Sequence, residues 1–217
     1  MKKLVLFKES DIRIAGSVDL WNGRDAAVEF GMYAENFQAA ARALVHELME
    51  DASFMRCGAS SAASFRAYPA FYLYRHALEL ALKGIIVAGS DYLAYEGEAV
   101  NEKALYQNHS FGMLRPDLER VFDAIGWGWD LGIPGFETVE DFRAMLAELD
   151  EFDAKSTLWR YPVTVKGTAS MDTQRCVNLI EFATTMEALL DLLSGVPSIV
   201  KDEVQQYFSY LAESAGY

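Results

Sequence analysis

The stretch Tyr68–Gly89, "YPAFYLYRHALELALKGIIVAG", limits the fold of this chain more than any other part of its sequence. Apolar residues occur on nearly every side of the helix that it predicts, and such a helix is normally packed on most of its surface. Charged residues nevertheless stand in its middle. Arg75, Glu79 and Lys83 follow one another at four-residue intervals and therefore share one face. We expect a central helix with a polar stripe that needs partners, since a stranded charge costs several kcal/mol in a protein interior.

Helical periodicity along the rest of the chain predicts an all-α fold. The segment 157–166, "TLWRYPVTVK", contains β-branched residues and Pro162, which favour a short extended or β segment. The N-terminal "MKKLVLF" is compatible with a strand. We expect one domain over residues 1–217, folded as an up-and-down helical bundle. The predicted helices lie at about residues 25–51, 68–88, 110–125, 138–153, 172–193 and 197–213.

Composition narrows the class of protein. A chain of 217 residues that is 52% hydrophobic can bury the core of one substantial domain. Its net charge of -13 opposes non-specific attraction to phosphate backbones and anionic lipids. The N-terminal apolar run is too short for a signal peptide, and no window is long enough to cross a bilayer. We therefore expect a soluble cytoplasmic protein with reduced cysteines and without a structural zinc site.

Two other segments are candidates to complete a polar cleft beside the stripe. His109 stands at the head of the helix "NHSFGML", where a neutral imidazole can act as acid or base near pH 7. In "STLWRYP", Pro162 favours an extended Tyr161, and an arginine on such a segment suits a carboxylate or phosphate. The candidate site residues are Arg75, His76, Glu79, Lys83, His109, Arg160 and Tyr161.

The same residues also allow a purely architectural role. Arg75 and Lys83 can pair with Glu79 along the helix, and Arg160 can be a further partner of Glu79. His109 is then a capping or surface histidine. Spacing alone favours this interpretation, because ion-pair networks commonly perturb charged residues without any function.

Two weaker signals have simple structural interpretations. Trp127, Trp129 and Phe136 predict a satellite core cluster rather than a stacking platform for a base or sugar. The acidic run at residues 148–153 predicts a solvated helix end. A calcium site is less favoured there, because the glycine turn of an EF-hand loop is missing.

The order of these segments resembles the HEPN superfamily of bacterial helical bundles. The resemblance covers about residues 65–195 and rests on "YLYRHALELALKGIIVAG", "NHSFGML", "FDAKSTLWRYPV" and "DTQRCVNLIEFATTMEALLDLL". It implies an up-and-down helical bundle that is often a homodimer. No cofactor is expected, and a metal is not implied because no carboxylate–histidine cluster has ligand spacing. Such proteins act in toxin–antitoxin, phage-defence or RNA-processing systems, as metal-independent ribonucleases or as inactive modules that bind RNA or a partner protein.

The chain departs from the nuclease members of that superfamily. Those members carry an arginine followed, after four to six residues, by a histidine. Here Arg42 and His46 are separated by three residues and lie outside the matching region, while Arg75 and His76 are adjacent. This favours a non-catalytic module that binds a partner protein or a nucleotide- or RNA-like ligand. The alternative is a divergent metal-independent ribonuclease in which Arg75, His109 and Arg160 converge on a phosphate.

Overall fold

The computed structural model describes residues 25–56, 61–164, 166–171 and 174–215, and this part of the chain is α-helical without a β-sheet. The predicted all-α bundle is confirmed, whereas the expected N-terminal strand lies outside the described residues. The helices are α1 (Ala26–Glu50), α2 (Ser61–Phe65), α3 (Tyr68–Tyr95), α4 (Glu102–Gln107), α5 (Phe111–Ala124), α6 (Val139–Asp153), α7 (Leu179–Leu193) and α8 (Val196–Ala215). No helix in these ranges is long and apolar enough to cross a membrane.

The apolar helix α3 is the centre of the bundle, and α1, α5, α7 and α8 pack against it. It begins with Pro69 in its first turn, where the missing N–H costs nothing. It continues past Gly89, where the sequence suggested an end. A β-carbon at Gly89 would lie 2.6 Å from Val121 Cγ2, so this glycine permits a close helix–helix contact instead of ending the helix.

Helix α1 runs antiparallel to α3. Phe37 contacts His76 edge to face at 4.6 Å, and the earlier residue Phe30 lies close to Gly84, further along α3. Helix α5 runs in the same direction as α3, because Phe111 lies beside Arg75 and Val121 lies beside Gly89.

The segment between α3 and α5, which contains α4, therefore crosses back along the bundle. This crossover places the beginning of α5 against the middle of α3, where the polar stripe lies. Helix α6 returns antiparallel to α5, with Arg143 bound to Glu119 at 2.8 Å near one end and Asp150 bound to Gly112 at the other.

The irregular segment between α6 and α7 is longer than the sequence predicted. Helix α7 begins at Leu179 rather than near residue 172, because the Asn178 side chain accepts hydrogen bonds from the first-turn amides of the helix. Among the described residues of 157–166, the expected extended segment is limited to an isolated antiparallel bridge between Val163 and Ala169. Before it, the amide of Tyr161 bonds the carbonyl of Thr157 at 3.0 Å and closes a turn.

The aromatic residues between α5 and α6 belong to the main hydrophobic core, so the predicted satellite cluster is wrong. Trp127 stacks on Phe122 with ring centroids 5.2 Å apart, and Trp129 meets the same ring edge to face at 5.1 Å. Trp129 also contacts Phe142 of α6, and Phe136 is buried. The cluster therefore joins α5 to α6.

Candidate functional site

The polar stripe of α3 is buried. The side chains of Arg75, Glu79 and Lys83 are only 2%, 1% and 4% exposed. Lys83 Nζ donates to Glu79 Oε1 at 2.8 Å, and Arg75 Nη1 donates to Glu79 Oε2 at 3.2 Å. Glu79 thus compensates a cation on either side of it along the helix. This is the self-compensation that the four-residue spacing allows.

His109, two residues before the start of α5, packs against this stripe. Its Nδ1 is 2.9 Å from Glu79 Oε1, and its backbone carbonyl accepts a hydrogen bond of 2.6 Å from Arg75 Nη2. The imidazole is 45% exposed, so its remaining edge faces solvent while Nδ1 is held by a buried carboxylate. Side chain and backbone together fix the position of His109 relative to α3.

Glu79 is the hub of the cluster. Burial raises the pKa of its carboxyl, but hydrogen bonds from Lys83 and His109 and the positive charge of Lys83 outweigh burial and hold that pKa below its usual range. The carboxylate is therefore ionised near neutral pH and serves Lys83, His109 and Arg75 as a common acceptor. A buried ionised carboxylate with several donors is the arrangement that makes such burial tolerable.

Asp150 of α6 closes the cluster from the other side. Its carboxylate accepts hydrogen bonds from Ser110 Oγ at 2.6 Å, from the Phe111 amide at 2.9 Å and from the Gly112 amide at 2.8 Å. It thereby caps α5 from a different helix and lies 3.8 Å from Arg75 Nη2.

The interpretation of the acidic run as a solvated helix end is wrong for two of its residues. Besides Asp150, the buried Asp153 accepts hydrogen bonds from the amides of Thr157 at 2.7 Å and Leu158 at 3.0 Å. It thereby holds the turn that follows α6. Both carboxylates satisfy backbone donors that would otherwise lack partners.

Four side chains form what we call the surface patch: Tyr72, His76, His109 and Arg160. The rings of Tyr72 and His76 are nearly parallel, with centroids 5.5 Å apart, and the Arg160 guanidinium lies 5.3 Å from the Tyr72 ring centroid. Burial lowers the pKa of His76, and the charges of Lys83, Arg160 and His109 lower it further against the opposing effect of Glu79. His76 is therefore largely neutral near pH 7.

Arg160 is exposed and belongs to the patch rather than to the buried cluster. Its Nε donates to the Ser156 carbonyl at 2.5 Å, and within the described ranges no carboxylate pairs with it. The expected alternative, a bridge from Arg160 to Glu79, is absent from these residues. Tyr161 is 55% exposed, and its ring centroid lies 5.6 Å from the Arg160 guanidinium carbon. It therefore lies at the edge of the patch.

A second polar cluster was not predicted from the sequence. Glu187 of α7 accepts hydrogen bonds from Tyr74 Oη at 2.6 Å, from Gln38 Nε2 at 2.8 Å and from Arg42 Nε at 2.9 Å. Burial and the bond to Glu187 raise the pKa of Tyr74. The pairing neutralises Arg42, the arginine of the near-match to the nuclease spacing, while His46 lies 3.7 Å from Glu50.

The described residues contain no group of three or more His, Cys, Asp or Glu side chains that could hold a metal ion. Comparison with protein-family models, with curated proteins and with solved structures found no match to this chain. Its relation to the HEPN superfamily stays a prediction from the sequence.

Proposed function

We propose that the chain is a non-catalytic, HEPN-like helical-bundle module that binds a nucleotide- or RNA-like ligand at the surface patch. The observation that carries this proposal is the state of Arg160, which is exposed, unpaired with any described carboxylate and seated over Tyr72. A guanidinium in this state can take a phosphate through two parallel hydrogen bonds. The exposed ring of Tyr161, which lies next to the guanidinium, offers a flat face for a base.

The buried cluster supports the patch and does not contact the ligand in this proposal. Arg75 and Lys83 are inaccessible, and their charges are already compensated by Glu79. Their function is to hold α3 and the start of α5 in register, which places His109 within the patch. The strongly negative net charge opposes non-specific RNA binding, so binding depends on this local group of basic residues.

A divergent metal-independent ribonuclease is the second candidate, and one contact favours it. Because Glu79 holds Nδ1 of His109, the exposed edge of the ring is oriented and available for proton transfer. Arg75 cannot stabilise a phosphate in this arrangement, so Arg160 alone would supply the positive charge expected of such a site.

Fluorescence anisotropy with a labelled single-stranded RNA tests the binding proposal. We expect Arg160→Ala to weaken binding about tenfold. It should also reduce the slope of log affinity against log salt concentration by about one, because one phosphate contact is lost. Arg120→Ala is the matched control, because Arg120 is already paired with Glu98 and Asp117 and its loss should leave binding unchanged. Equal losses in both variants, or no binding by folded wild type, would contradict the proposal and direct the search to a partner protein.

The same samples decide between binding and catalysis. Incubating the labelled RNA with the protein in EDTA should leave the RNA intact if the module is non-catalytic. Cleavage that persists in EDTA and is lost in His109→Ala would establish the ribonuclease instead.

We propose further that the chain forms a homodimer through α1, in keeping with a toxin–antitoxin or phage-defence setting. Large apolar side chains are exposed along this helix, including Val28 at 42%, Met32 at 56% and Met49 at 46%. Exposed apolar surface of this kind is typical of an interaction face. Size-exclusion chromatography with light scattering should give a dimer at micromolar concentration, and Met32→Glu should give a monomer. A wild-type monomer would refute this part of the proposal.

A further inference from the structure

A cavity of about 460 Å³ lies between α3, α6 and α7, beside the irregular segment that follows α6. This volume is in the range of small-molecule sites. Several large apolar side chains of its wall are only half-buried: Met145, Leu149, Phe152, Trp159 and Phe182. An occupant with an apolar body would remove this surface from water, which favours binding. The cavity is separate from the surface patch, because none of the four patch residues lines it.

Two exposed carboxylates give the cavity a negative charge at its margin. Glu148 belongs to the face of α6 that lines the cavity, and Glu181 belongs to the corresponding face of α7. Within the described residues neither side chain has an ion pair or a hydrogen bond, so their charges are not compensated. Uncompensated carboxylates beside a cleft attract a cation and repel an anion.

The cationic residues nearby do not cancel this charge, because each already has a carboxylate partner. Arg75 also lines the cavity, but it is 1% exposed and its Nη1 donates to Glu79 at 3.2 Å. Arg175 lies over Phe152, with its guanidinium carbon 4.5 Å from the ring centroid, and it is paired with Glu151 at 3.3 Å. The lining of the cavity therefore combines apolar surface with a net negative charge.

This combination suits an organic cation better than a metal ion. A hard cation needs several oxygen ligands, and in the described part of the chain no group of three or more His, Cys, Asp or Glu side chains could hold a metal. From these features we infer that the cavity binds a small organic cation, an ammonium group carried on an apolar body. The charged nitrogen lies near Glu148 and Glu181, and the apolar body contacts Trp159 and Phe182. The inference is independent of RNA binding, because the two sites share no residue.

Benzyltrimethylammonium is a suitable probe, since it joins a permanent positive charge to a phenyl ring. Neopentylbenzene is its neutral counterpart of the same shape, with carbon in place of nitrogen. Titration of the full chain followed by saturation-transfer difference NMR should show saturable binding of benzyltrimethylammonium. Tetramethylammonium, which lacks the phenyl ring, should bind at least about tenfold more weakly because it buries less apolar surface.

Removing the two carboxylates tests the role of charge. We expect the double variant Glu148→Gln, Glu181→Gln to bind benzyltrimethylammonium about tenfold more weakly, roughly threefold for each exposed carboxylate. Its affinity for neopentylbenzene should not change. The double variant Glu35→Gln, Glu203→Gln is the matched control, because it changes the net charge equally at two exposed residues that do not line the cavity. Equal effects of the two double variants, or equal losses for the two ligands, would overturn the preference for a cation.

Two adjacent exposed threonines of α7 locate the site. Thr185 lines the cavity and Thr184 does not, so Thr185→Trp should abolish binding of benzyltrimethylammonium and Thr184→Trp should preserve it. Circular dichroism confirms that each variant is folded. No saturable binding by the wild type, or equal binding by the two tryptophan variants, would overturn the site. Binding of tetramethylammonium as tight as that of benzyltrimethylammonium would overturn the requirement for an apolar body.

Discussion

Replacing Glu79 with glutamine changes little in shape, but it removes the carboxylate that serves three buried or half-buried donors at once. Removing one partner of a buried ion pair typically costs about 3–5 kcal/mol, because the remaining charge is left without compensation. In a chain of this length each kcal/mol corresponds to roughly 2–4 °C in Tm. We therefore expect Glu79→Gln to lower the free energy of unfolding by about 3–5 kcal/mol and Tm by roughly 6–20 °C.

Most of this loss of stability should come from the ammonium group of Lys83, which is left without a partner. Arg75 retains the carbonyl of His109 and lies 3.8 Å from Asp150, whereas the only hydrogen bond of Lys83 within the described residues is the one to Glu79. Replacing Lys83 with methionine in the Glu79→Gln background removes the stranded ammonium group. The double variant should therefore be more stable than the sum of the two single effects by at least about 1 kcal/mol.

Urea unfolding followed by circular dichroism measures all three variants under one set of conditions. Glu35→Gln is the matched control, because Glu35 is exposed on α1 and its replacement should change stability by less than about 0.5 kcal/mol. If Glu79→Gln behaves like this control, or if the double variant is additive, Glu79 is not a buried hub and the reasoning fails.

Three further perturbations test other parts of the structure. Because burial lowers the pKa of His76 below its ordinary value of 6.5, the unfolded chain gains a proton there before the folded chain does. Wild type should thus lose more stability than His76→Gln between about pH 7.5 and about pH 5.5, and parallel pH profiles would contradict this. Asp150→Ala removes the cap of α5 and should cost about 1–2 kcal/mol in urea unfolding, whereas an unchanged midpoint would show that the cap is not needed. Gly89→Ala should cost about 1–3 kcal/mol because its methyl group clashes with Val121, and Val121→Ala should partly restore stability. Gly31→Ala is the control and should be neutral or stabilising, because the nearest atom to its β-carbon is 3.9 Å away. Equal changes in Tm for the two glycine variants would show that the close contact at Gly89 does not matter.

Features encoded over a few residues were predictable from the sequence. The four-residue spacing of Arg75, Glu79 and Lys83 predicted their pairing, and the helix predicted at about residues 138–153 matches α6, which Thr138 caps at its N-terminus. Both rest on contacts within one helix, where geometry fixes which positions meet. The predicted end of α3 at Gly89 failed because the reason for that glycine lies on another helix.

Contacts between distant segments were not predictable in this way. Asp150 is 38 residues from Gly112, and Glu187 is 145 residues from Arg42, so no local pattern indicates either pairing. The crossover that brings α5 parallel to α3 determines which polar groups meet. Its path follows from how the apolar faces pack together, which a single sequence leaves open.

The buried and exposed parts of the candidate site have separable effects. Glu79 fixes His109 through Nδ1, and Arg75 fixes the backbone of the same residue, so the buried cluster sets the geometry of a patch that it does not enter. Replacing Arg160, which is exposed and unpaired with any described carboxylate, should change ligand binding and leave stability within about 0.5 kcal/mol. Replacing Glu79 should reduce stability first and affect binding only by displacing His109. A variant series that showed the reverse order, with Arg160 controlling stability and Glu79 controlling binding in a fully folded protein, would place the ligand in the buried cluster and exclude the surface patch.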